Sequence, residues 1–139
     1  MMRHSAPAIT SILWVIPFSY NHEYFIENSS PFLLFLILNM TFFSCLFWSD
    51  PIKNRNTLIH TIDAACARIT ILAFIVYNVA FQFQNISFFI SMGIMFVFFY
   101  ASNFYSEKEW CCDNHIYSHL IAHIFALFGI HFTLTYYLI

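Results

Sequence analysis

The sequence predicts an all-α protein, a polytopic transmembrane helix bundle of about five hydrophobic segments forming a single integral membrane domain over residues 1–139. Three observations carry that prediction. The chain is 60% hydrophobic and 9% charged, with a mean hydropathy of +0.70, whereas a soluble domain carries about 25% charge. Its apolar residues fall into runs near the roughly 20 residues that cross a bilayer core, separated by short polar stretches. Nineteen Phe against two Gly give large side chains on few permissive backbone positions, which suits packed or lipid-facing helices and not a disordered or fibrous chain.

The first segment, Ala8 to Tyr20, is modest in length and interrupted by Pro17. Arg3 ahead of an apolar run fits a signal peptide, but no small-residue cleavage site follows, so the segment is expected to remain as a short or partial span. Four full spans are expected after it. Pro31 to Trp48 opens with Ser30 placed to cap and Pro31 at the first helical position. Leu58 to Phe81 follows the turn-rich residues 49–57, and Ile86 to Tyr105 follows a tight connection at Gln82-Phe83-Gln84-Asn85. His115 to Ile139 comes after the polar loop 106–114. Backbone groups in lipid must be satisfied within each segment, and the alternation that a membrane strand needs is absent.

Arg3, Lys53, Arg55 and Lys108 fall on one side of this topology, while the opposite loops hold Glu23 and Glu27 and no cation. The positive-inside rule makes that side cytoplasmic, with the N-terminus and the 49–57 and 106–114 loops inside. Two N-x-S sequons, at Asn28 and Asn85, fall on the outer side. A net charge of −2 with no basic stripe excludes nucleic acid as a partner class. Membrane lipid is the expected partner, and so small a chain leaves a homo-oligomer or a larger membrane complex open. No inverted repeat or pair of Gly/Pro-broken spans argues for a transporter. Four cysteines are too few for a disulfide scaffold: Cys45 and Cys66 lie in apolar runs, and Cys111-Cys112 form either an incidental pair or a metal or redox site in a polar loop.

The polar residues of the spans gather at the cytoplasmic end. Ser44 closes one helix, His60 and Asp63 open the next, and His115, His119 and His123 open the last. A residue such as Asp at mid-span costs about 2.5–3.5 kcal/mol on insertion scales, so such groups normally face the bundle and find partners. Four residues advance a helix by about 400°, so the three histidines stack on one face. An i, i+4 pair of imidazoles can chelate zinc, and packing through hydrogen bonds is the alternative use. Asp63 is spaced to orient His60 or to hold a metal-bound water, or to pair with Arg68, Arg55 or Lys53. Ser44 can bond back to its own helix. His131 belongs to the opposite leaflet and reads as packing or interfacial.

Ser44, Asp63 and the pair His119-Leu-Ile-Ala-His123 occur in an order that resembles the CREST superfamily of membrane hydrolases and receptors, which includes the alkaline ceramidases. The resemblance implies a helix bundle in which three histidines hold zinc, with Asp63 and Ser44 supporting a water that attacks a lipid amide or ester. Trp48 stands where that family has its first histidine, so His60 or His115 would have to complete the ligand set. Helices found in the family between the Asp and the final His pair are missing, which limits the resemblance to Pro31–Arg68 and His115–Gly129.

Three functions remain open on this reading. One is a zinc-dependent lipid amide or ester hydrolase, or a degenerate relative of one, with metal on His119, His123 and His60 or His115. Another is a non-catalytic membrane protein whose polar cluster locks helix register. The third is haem ligation with His60 and His119 as the axial pair, which a Soret band would reveal.

Overall fold

The computed structural model describes residues 2–20, 31–49 and 56–136, and among these every regular element is a helix. In chain order they are α1 (Met2–Leu13), α2 (Ile16–Tyr20), α3 (Pro31–Ser49), α4 (Leu58–Phe81), α5 (Ile86–Lys108) and α6 (Asp113–Thr135). The last four are long and apolar enough to cross a membrane. The expected capping by Ser30, the sequon at Asn28, and Lys53 and Arg55 as partners for Asp63 lie outside the described residues, as does the charge contrast with Glu23 and Glu27.

Helix boundaries follow local chemistry. Pro17 has no N–H to offer the Leu13 carbonyl, and the chain tightens there through Trp14 N–H to Ser11 O (3.1 Å) and Val15 N–H to Ile12 O (3.3 Å), which separates α1 from α2. Thr57 caps α4 by accepting from His60 N–H at 3.2 Å, and Asn85 caps α5 by accepting from Phe88 N–H at 3.1 Å. Several bounds differ from expectation: α1 already starts at Met2, ahead of Ala8, and α3 ends at Ser49, one residue past Trp48. Helix α5 runs on through Ser106 to Lys108, and α6 starts at Asp113 because the Cys112 sulfur accepts from His115 N–H at 3.4 Å.

The exterior is apolar. Phe32, Phe35, Leu38, Phe42 and Leu46 face outward along α3, and Ile69, Leu72, Val76 and Val79 along α4. Ser11, Ser44, Thr70, Asn78, Ser102 and Thr133 are buried. A chain that hides its hydroxyls and amides and presents Phe, Leu, Ile and Val outward is solvated by lipid. The protein is therefore an integral, multi-pass membrane protein.

Helices α5 and α6 form a closely packed antiparallel hairpin, α3 lies between α1 and α4, and α1 reaches across to α6. Gly129 makes part of the hairpin's closeness, since a Cβ there would run into the Met92 methyl. Helices α4 and α5 are joined by a short turn yet share almost no helix–helix contact along their length, and α4 meets α6 only sparsely. The bundle is thus parted between α4 and the α5–α6 hairpin.

The turn end of that parting is tied by a buried amide network. Asn78 donates to Thr133 Oγ1 (2.8 Å), Gln82 donates to the Thr133 carbonyl (2.9 Å), and Thr133 donates to the Gly129 carbonyl (2.9 Å). Asn85 donates to Asn78 Oδ1 (3.2 Å), Gln82 Oε1 (3.2 Å) and the Phe132 carbonyl (3.0 Å). Asn85 is accordingly buried and fully engaged, so its sequon is not presented as a glycan acceptor.

Candidate functional site

The parting encloses a cavity of ≈ 210 Å³ that runs from Phe47, Trp48, His60 and Trp110 into the bundle. Its lining changes character along its length. Ser44, Trp48, His60, Asp63, Ser102, Trp110, His115 and His119 line one part, and Ile37, Met40, Phe74, Met92, Met95 and Ile130 the other. Ala8, Phe47 and Trp48 pack with Trp110 and Cys111, which brings α1, the end of α3 and the α5–α6 connection to the same end of the molecule. The expected gathering of polar residues at one end is therefore present.

The three histidines of α6 stack as their spacing demands. Ring centroids are 5.9 Å apart for His115–His119 and 4.5 Å for His119–His123. Trp48 lies over His119 at 4.9 Å, and Trp110 contacts both His115 (5.0 Å) and His60 (5.4 Å). Phe47 covers another side of His60 at 4.9 Å. Trp14 closes on His123 at 4.5 Å while donating its Nε1–H to the His123 carbonyl at 3.1 Å. The site is a box of aromatic rings around the histidines.

Each histidine is committed differently. His115 Nδ1 accepts from the Cys111 amide at 3.2 Å, a bond made available by the positive φ of 60° at Cys111, so the ring of a neutral His115 carries its proton on Nε2. His123 Nδ1 lies 3.0 Å from Thr10 Oγ1, and the single Thr10 proton goes to the Pro7 carbonyl at 3.0 Å. Thr10 therefore accepts from His123 Nδ1–H. His119 Nδ1 pairs with the fully buried Ser102 hydroxyl at 3.2 Å, and its Nε2 makes no hydrogen bond among the described residues. Neither Ser102 nor Thr10 stood out in the sequence, since a hydroxyl in an apolar run carries no signal of its long-range partner.

Ser44 does not bond back to its own helix. Ser11 spends its proton on the Pro7 carbonyl at 2.8 Å, so Ser44 donates to Ser11 Oγ at 2.8 Å and ties α3 to α1. Thr41 Oγ1 and Cys45 Sγ donate to the Ser11 and Ala8 carbonyls along the same seam. Asp63 lines the cavity, half-buried, and makes no hydrogen bond or ion pair among the described residues. Arg68 also lines the cavity but is exposed and does not pair with Asp63. Cys111 and Cys112 are free thiols whose backbone and sulfur organise the start of α6.

The zinc set implied by the resemblance needs three converging ligands. Among the described residues no group of three or more His, Cys, Asp or Glu side chains is placed to hold a metal ion. Trp48 offers an N–H and no lone pair where the resemblance has its first histidine, and the Nδ1 of a neutral His115 already accepts from Cys111. One further atom stands out: Trp48 Nε1–H is buried with no hydrogen-bond partner among the described residues, a state that costs about 1–3 kcal/mol when it persists.

No protein-family model, curated protein or solved structure matches this chain.

Proposed function

We propose that the protein is a membrane-embedded hydrolase of lipid amides or esters, working from the cytoplasmic leaflet. One observation carries the reading: a single cavity joins a box of His, Asp and Ser side chains to an apolar lining of Ile37, Met40, Phe74, Met92, Met95 and Ile130, inside a bundle parted toward lipid. Such a cavity matches an amphiphile, with its chain among the apolar side chains and its polar end against the histidines. Hydrolysis adds water across the acyl bond, so one group must take a proton from the water and another must give one to the departing amine or alcohol. His119, a buried imidazole with Ser102 behind it, is suited to the first task, and Asp63, a carboxyl with no hydrogen-bond or ion-pair partner among the described residues, to the second. Zinc is the cofactor that the resemblance implies, and His119, His123 and His60 or His115 are the residues that would hold it.

A second reading, a polar cluster that only fixes helix register, is favoured for two residues by their bonds. Ser44 and His123 spend their hydrogen bonds on α1. The experiment that decides between them uses detergent-purified protein and a mixture of N-acyl and O-acyl lipids, with released fatty acid followed by mass spectrometry and zinc measured per chain. Release that falls with Asp63→Asn and His119→Ala in folded protein supports the hydrolase. Folded native protein that releases nothing, with or without added zinc, leaves the packing reading.

A further inference from the structure

We infer that the cavity selects amphiphiles bearing an anionic oxygen group, a carboxylate or a phosphate, held by Arg68 at the mouth and by the Trp48 N–H inside. This rests on the reading of the cavity as an amphiphile site and names the class of head group it takes.

Two independent observations point the same way. Arg68 is the eleventh residue of a 24-residue span, well away from either end of α4, where an arginine normally finds a counter-charge. It lines the cavity and is exposed, and it makes no ion pair or hydrogen bond among the described residues. Asn103, from α5, is likewise exposed and lines the same cavity. Residues that belong both to the lining and to the surface mark where the cavity opens, so the mouth lies between α4 and α5, the pair of helices that share almost no contact. That opening faces lipid, and a lipid entering sideways brings its head group past a guanidinium.

The second observation is Trp48. Its ring is 2% exposed, lies over His119 at 4.9 Å and within 6.0 Å of His115, and its Nε1–H is the buried side-chain donor without an acceptor among the described residues. A donor needs an acceptor oxygen, and a guanidinium needs an anion. Both requirements are met by one acid group, or by an acid group together with a neighbouring acyl carbonyl. A cation would satisfy neither.

The chain offers its own probe. Trp14, Trp48 and Trp110 all line the cavity and are the only three tryptophans of the sequence, so their fluorescence reports on the cavity. The full-length protein in nanodiscs of zwitterionic lipid would be titrated with ω-bromoundecanoate, ω-bromoundecyl phosphate and ω-bromoundecanol, whose bromine quenches tryptophan. The inference predicts that the carboxylate, the phosphate or both bind about tenfold or more tightly than the alcohol, and comparing the two acids identifies the source of the oxygen group. Arg68→Gln should erase that preference while leaving alcohol binding unchanged. Trp48→Phe keeps a six-membered aromatic ring at that position and deletes the N–H, and should weaken the preferred acid severalfold in protein that remains folded. Quenching by all three probes with equal affinity, or a preference that survives both substitutions, overturns the inference but keeps the amphiphile site. Absence of quenching by any probe in folded protein removes the amphiphile site itself.

Discussion

Replacing Asn78 by Leu removes the centre of the amide network that ties the α4–α5 turn to α6. The side chain loses its bond to Thr133 Oγ1 at 2.8 Å and its acceptance from Asn85 at 3.2 Å. Neither loss strands a partner. Asn85 retains Gln82 Oε1 and the Phe132 carbonyl, and Thr133 still donates to the Gly129 carbonyl. The bond from Asn78 to the Phe74 carbonyl is local to α4 and ties no second element. Hydrogen bonds between membrane helices average about 0.6 kcal/mol with a ceiling near 1.7 kcal/mol, so two bonds without an orphan cost about 1–2 kcal/mol. Thr133→Val, which removes one of them, costs about half as much. A double-mutant cycle measured by reversible unfolding in mixed micelles should give an Asn78–Thr133 coupling of about 0.6 kcal/mol. Strict additivity of the two substitutions would refute the network as a tie between the helices. A coupling well above 2 kcal/mol would refute the assumption that each remaining group keeps its second partner.

Other substitutions test the rest of the architecture. Ser44→Ala removes the donor to Ser11 and should lower stability by about 0.6 kcal/mol in the same unfolding assay, and a loss of 3 kcal/mol would mean the hydroxyl serves more than one helix. Asn85 should remain without glycan when the protein is expressed through a secretory membrane, and Asn85→Ala should cost about 1–2 kcal/mol through the lost cap; a mass shift abolished by that change would contradict its burial. Gly129→Ala pushes only on the flexible Met92 methyl and should cost about 1 kcal/mol, while Gly129→Val should cost more; equal stabilities for all three residues would show that the hairpin is less close than described. At alkaline pH, where Asp63 is ionised, Asp63→Asn removes a carboxylate opposing an anion and should tighten ω-bromoundecanoate binding severalfold, whereas weaker binding would place Asp63 among the groups that hold the acid.

Much of the bundle was legible because lipid imposes a simple code. Runs of about 20 apolar residues between clusters of Asn, Ser, Pro and charged residues can be nothing but spans, and Leu58–Phe81 was delimited to the residue. The stack of His115, His119 and His123 follows from helical geometry alone. Each histidine's partner was not legible, because Thr10–His123 and Trp14–His123 join residues 113 and 109 apart in sequence. Nothing local distinguishes Ser102, which supports His119, from Ser91, which bonds its own helix at Ser87 O. The trio Asn78, Gln82 and Asn85 has the spacing of one helix face, yet in the sequence Asn78 carries no mark, Gln82 reads as part of a turn and Asn85 as a sequon. Trp48 read as a histidine that had been lost. In the folded chain it is an N–H in search of an oxygen, which changes the kind of ligand that end of the cavity suits.

The position of α1 has a consequence for biosynthesis. A chain made at about 5–20 residues per second exposes Thr10, Ser11 and Trp14 to the membrane well before His123 exists. The Ser11–Ser44 bond can form once α3 arrives, but the bonds from Thr10 and Trp14 wait for α6, on the order of five to twenty seconds later. During that interval the short α1–α2 segment is held only by its seam with α3. Closing the histidine box is therefore among the last acts of assembly, and a nascent chain stalled before residue 123 and carrying a cysteine introduced into α1 should show that cysteine still accessible to thiol probes.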